Sequence, residues 1–133
     1  MIIPCEVAVK SVIPAIKALM ANELVERHGL KQNQVAELLG ISQSAVSKYT
    51  KKVRGYVIRI DNIEEIQAPI NGMIALVTNG AYQRMDFLRL FCQVCVVVRQ
   101  KGLMCPFCQK TDEKLRIEGC AICLTNLPHE SER

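Results

Sequence analysis

Between Ile13 and Arg27 the apolar residues Ile16, Leu19, Met20, Leu24 and Val25 return at helical spacing, which predicts a helix with one face turned to a core. Pro14 suits its opening turn, where a missing N–H leaves no hydrogen bond unmade, and Pro4 opens a shorter helix before it. His28 and Gly29 close the long helix, glycine being the favoured residue just past a helix end. A short helix is expected from Gln32 to Leu39, stopping at Gly40, and another from an N-cap at Ser42 to about Arg54. Tyr56 to Ile60 alternates apolar and basic residues and reads as extended. Asp61 followed by Glu64 resembles a capping box opening a helix through Thr78, which Pro69 and Gly72 are expected to kink or split. After Asn79-Gly80, an apolar stretch from Tyr82 to about Gln100 is closed by Gly102, and the chain then turns cysteine-rich. The expected fold is mainly α: a helix-turn-helix domain over 1–56, helical dimerisation and linker segments over 57–90, and a small Cys-rich metal-binding module over 91–133.

The segment from Gln32 to Tyr49 carries the most specific pattern. Ala36 is small where a second helix must cross closely, and Gly40, four residues on, permits a left-handed turn. Val35, Leu39, Ile41, Val46 and Tyr49 supply apolar contacts between the helices. Ala, then Gly, then Val six residues later is the spacing of a DNA-binding helix-turn-helix. Gln43, Ser44, Ser47 and Lys48 then project from the early turns of the recognition helix, where they suit base edges in the major groove. Thr50, Lys51, Lys52 and Arg54 are placed to meet phosphates, as are Gln32 and Asn33 at the start of the preceding helix.

Charge agrees with this placement. The net charge of +4 lies wholly in residues 1–55, which hold eight Lys and Arg against four acidic residues, while 56–133 balance. Clustered cations beside a recognition helix are the footprint of phosphate binding. Few aromatics and no Trp disfavour single-strand binding on stacked platforms.

With these residues in view, the run PCEVAVKSVIPAIKALMANELVERHGLKQNQVAELLGISQSAVSKYTKKVRG resembles a family of archaeal helix-turn-helix transcriptional regulators. The similarity covers Pro4 to Gly55 and continues more weakly through the first cysteine pairs. It implies a small dimeric regulator of double-stranded operator DNA with a Cys-rich module downstream. Dimerisation is also expected because one small helix-turn-helix contacts too little DNA for specificity. Ile63, Ile66, Ile70, Ile74 and Val77, with Phe87, Leu88, Leu90 and Phe91, offer either the dimer surface or the monomer core.

Three Cys-x-x-Cys units, Cys92/Cys95, Cys105/Cys108 and Cys120/Cys123, are separated by nine and eleven residues. Two such pairs bring four thiolates to one ion, which points to metal. Zinc would hold a small lobe together through four of the six, and Cys105/Cys108 paired with Cys120/Cys123 reads well as such a ribbon. Two features favour an iron–sulfur cluster, 4Fe–4S or 3Fe–4S, over zinc. Cys92 and Cys95 read as helical, and Val94, Val96, Val97, Val98, Ile122 and Leu124 make an apolar setting. A metal-free thiol/disulfide switch is the third alternative, and spacing does not select the ligand subset. Cys5 reads as a small buried residue, and His129 as a tail residue.

No segment approaches the apolar length of a membrane span, and the opening residues are too short a run for a signal peptide, so a cytoplasmic location is expected. Glu64 and Glu65 point to different sides of a helix, and no small-molecule substrate or active site is expected. A helix-turn-helix regulator or transcription adaptor with a purely structural zinc site is the competing function.

Overall fold

A computed structural model describes residues 2–51 and 58–125, and among these the chain is helical with no strand. Helix α1 (Pro4–Lys10) carries Pro4 in its first turn, as the sequence requires, and breaks from α2 (Val12–Glu26) at Ser11. Ser11 leaves helical geometry, and its buried hydroxyl donates to the Val7 carbonyl at 2.7 Å. The break absorbs Pro14, whose missing N–H falls in the first turn of α2. Helix α2 is buried over most of its circumference, through Val12, Ala15, Ile16, Ala18, Met20, Ala21 and Leu24. Its small residues let α1, α3 (Gln32–Leu39), α4 (Gln43–Thr50), α5 (Gln67–Asn79) and α6 (Arg84–Gln100) all pack around it.

The central segment departs from expectation in three ways. Asp61 does not cap a helix: a 3-10 turn at Glu64–Ile66 precedes α5, and Ile63 stands at its N-terminus without a side-chain cap. The side-chain amide of Gln67 instead donates back to the Ile63 carbonyl at 3.3 Å. Pro69 does not split the helix, because it lies in the first turn of α5, where its nitrogen has no carbonyl to meet. Gly72 does not break it either. A Cβ built there would lie 3.1 Å from Leu90 Cδ1, so the glycine makes room for that side chain of α6.

Ile63, Ile66, Ile70, Ile74 and Val77 are buried in the protein's own core, so the candidate dimer surface loses these five residues. Helix α6 buries Val94, Val98 and Arg99 in its second half, whereas its first half is mostly exposed. Beyond Gly102, α7 (Cys105–Thr111), α8 (Lys114–Ile117) and α9 (Ile122–Thr125) fold back so that α7 touches α1 and α9 touches α6. Among the described residues no single helix is long and apolar enough to cross a membrane.

Candidate functional site

Helices α3 and α4 meet through the corner expected from Ala36 and Gly40. Gly40 adopts φ +65°, the left-handed conformation that favours glycine, and the Ile41 N–H donates to the Ala36 carbonyl at 3.0 Å. Ser42 caps α4, its hydroxyl accepting from the Ala45 N–H at 3.1 Å. Val35 and Val46 are fully buried, and Ala36, Ala45 and Tyr49 nearly so, which locks α4 onto α3 and α2.

With Ala45, Val46 and Tyr49 turned inward, Gln43, Ser44 and Lys48 are exposed on the outer face of α4, and Ser47 is half-buried at its edge. Lys51 is exposed at the C-cap. Gln32 and Thr50 come together from the two helices, the Gln32 amide donating to the Thr50 hydroxyl at 3.4 Å. Asn33 is exposed beside them, and its side-chain oxygen accepts from the Gln34 N–H at 3.0 Å. Helix α4 ends at Thr50, short of the expected Arg54. Lys52, Arg54 and His129 lie outside the described residues, as do Tyr56 and Val57 of the expected extended stretch, whose remaining residues Ile58 to Ile60 form no strand.

The cysteines gather at the other end of the fold. Cys105 and Cys108 occupy the first turn of α7, and Cys120 and Cys123 flank the start of α9. All four line one cavity of about 20 Å³, walled also by Met104, Leu115 and Ile122. Cys92 and Cys95 share a face of α6 as expected, but they are not in that lining. Among the described residues no group of three or more His, Cys, Asp or Glu side chains stands in an arrangement that holds a metal ion. The donor set in the cavity is nonetheless all thiol, with no carboxylate or imidazole, and soft thiolates select zinc or iron–sulfur chemistry.

Two residues of this region were not foreseen. Cys5 is exposed rather than buried, because α1 presents Val7 and Ala8 to the core and turns Cys5 toward α6. Arg99, expected only as part of an apolar helix, is 9 % exposed and points among the thiols. One amino group donates to Cys123 Sγ at 3.3 Å and the other to Cys5 Sγ at 3.7 Å. Its Nε is buried with no hydrogen-bond partner among the described residues, and no carboxylate pairs with it there. Burial works against the Arg99 charge, but the bonds to Cys123 and Cys5 outweigh it and hold its pKa above the usual value. Burial raises the thiol pKa values of Cys95, Cys105 and Cys108, with neighbouring cysteines adding to the rise. The sequence signal for Arg99 was its place four residues after Cys95, on the same helical face.

A short polar helix docked by a small-residue corner, with its outer face free, is the form that enters a DNA major groove. Residues 22–67 match a family model described as Helix-turn-helix, which takes in the end of α2, all of α3 and α4, and the turn before α5. The chain thus carries a helix-turn-helix domain of the kind that gives transcription regulators their hold on double-stranded DNA. Neither the curated proteins nor the solved structures gave a match.

Proposed function

We propose that this protein is a sequence-specific, homodimeric transcription regulator that reads operator DNA with α4 and is controlled through its cysteine module. The observation that carries the reading is the division of α4. Gln43, Ser44 and Lys48 are exposed, while Ala45, Val46 and Tyr49 anchor the helix. Gln suits adenine, Lys suits guanine, and Ser accepts either, so the exposed face can tell base pairs apart. Gln32, Asn33, Thr50 and Lys51 flank it as phosphate contacts, with Lys52 and Arg54 continuing the basic run in the sequence.

A second copy is placed against the first half of α6. There Met85 and Leu88 are 58 % and 40 % exposed, with Phe87 and Phe91 half-buried beside them, a surface too apolar for a helix left in water. The cysteine module is proposed to hold a thiolate-bound metal whose state shifts α6 and, through α2, the recognition helix. An iron–sulfur cluster gives a sensor its redox response and suits the apolar surroundings. The small cavity favours the alternative, a single zinc ion.

The test is an anisotropy titration against operator DNA recovered by selection from a random pool. Gln43→Ala and Ser47→Ala are expected to change the preferred sequence. Lys51→Ala should weaken all sequences alike and lower the slope of log affinity against log salt by about one. Unaltered binding by all three variants would remove α4 from the interface.

A further inference from the structure

We propose that Cys105, Cys108, Cys120 and Cys123 are the ligands of a single thiophilic divalent ion, zinc in first place, and that Arg99 is the buried counter-cation of the anionic centre they form. The inference rests on the metal-module reading above and narrows it to a ligand set, an ion and a charge partner. Three observations carry it.

The first is membership: of the seven cysteines in the chain, these four share one cavity, and Cys5, Cys92 and Cys95 do not line it. The second is size. About 20 Å³ is on the order of the room for one water-sized occupant, so a single ion asks for less rearrangement than a cube of iron and sulfide. The four sulfurs do not stand in metal-holding geometry as they are, so binding an ion requires them to move, and each cysteine has one side-chain bond that moves its sulfur. The third is Arg99. Arg99 is buried with no carboxylate pairing it and its Nε unpartnered among the described residues, and an anion facing it offsets the cost of that burial. Four thiolates around a divalent ion carry net negative charge, and Cys123 already accepts from Arg99. Arg99 is therefore a positioning and charge-balancing residue for the centre, reaching it through Cys123.

The experiment measures metal content, Co²⁺ and Zn²⁺ affinity by chelator competition, and thermal unfolding on the full chain purified without oxygen. Expected are about one ion per chain in tetrahedral geometry, lost in Cys105→Ser and Cys120→Ser and kept in Cys92→Ser and Cys95→Ser. X-ray absorption of the unsubstituted protein, which does not depend on how the variants fold, should show sulfur ligands only. Arg99→Met should loosen the ion by about 10- to 100-fold. The same substitution should lower the unfolding midpoint of ion-loaded protein by more than that of chelator-stripped protein, because the thiolate centre adds to the sulfur bonds that already hold the charge. A purely structural arginine would lower the midpoint equally in both states and leave ion affinity unchanged, and that result overturns the charge assignment. Metal lost with Cys92→Ser or Cys95→Ser, nitrogen or oxygen ligands, or several irons with sulfide per chain would overturn the ligand set while leaving the metal module standing. Wild-type protein that takes up neither ion nor iron would sink both.

Discussion

Arg99 donates to the sulfur of Cys5 at 3.7 Å across 94 residues of chain, tying the second half of α6 to the first turn of α1. Pro4, next to Cys5, also lines the four-thiol cavity, so α1 touches the cysteine module at two neighbouring residues. Helix α1 packs on α2, and α2 packs on α4, which makes an unbroken run of contacts from the thiols to the recognition helix. Cys5→Ala should leave the ion content unchanged, because Cys5 is outside the cavity. It should shrink the difference in operator affinity between ion-loaded and ion-stripped protein, by about five-fold where that difference is of ordinary allosteric size. Equal coupling in the variant and the wild type would place the route through α6 and α2 alone.

The corner between α3 and α4 is set by conformation rather than by bulk. Open space surrounds the Cβ position of Gly40, so Gly40→Ala meets no clash, and its cost is that of a left-handed φ, about 1–2 kcal/mol. Ser42→Ala removes the cap on the Ala45 N–H and is expected to cost about 1 kcal/mol. Urea unfolding followed by circular dichroism measures both. Gly40→Ala at no cost would show that the turn is not held as described.

Much of this architecture was legible because local chemistry and tertiary need agree in the N-terminal half. Proline at helix starts, glycine at helix ends and Ser42 as a cap each state a boundary directly, and the α2 and α3 spans and the start of α4 follow. The middle was misread for the opposite reason. Asp61 and Glu64 fit a capping box by spacing, but the chain spends those residues on a 3-10 turn that places Ile63 and Ile66 in the core. The face of Ile70, Ile74 and Val77 has the same periodicity whether it meets a second copy or α6, so pattern alone left both open. Cysteine spacing announced a module but not its partition. That depends on how α7 folds back on α1 and α9 on α6, which no short-range signal encodes. Arg99 was overlooked because an arginine in an apolar helix ordinarily extends its charge to water.

Gly72 was misassigned as a kink, and its place against Leu90 yields a stability prediction. Gly72→Val brings a branched side chain into a 3.1 Å contact with Leu90 Cδ1, and the expected cost is about 1–3 kcal/mol from overpacking between α5 and α6. Leu90→Ala in the same chain should restore part of that loss by making room, which a double-mutant cycle in urea would detect. Additive costs would mean that the two helices do not press together at this point.

Homodimerisation through α6 makes demands on both solution state and DNA. Leu88 is 40 % exposed, so Leu88→Glu leaves the core intact, and circular dichroism should match wild type. In a paired α6 interface the same charge would be buried against Tyr82, Met85 and Phe91 of either copy without a partner, at a cost large enough to dissociate the dimer. Light scattering is expected to report a dimer for wild type and a monomer for Leu88→Glu. Operator binding should then weaken by orders of magnitude, because each monomer holds only one half-site. Inserting five base pairs between the half-sites, about half a helical turn, should weaken wild type in the same way and leave the monomer's residual binding unchanged. A wild-type protein that remains monomeric on its operator, or a Leu88→Glu variant that still dimerises, would move the interface away from α6.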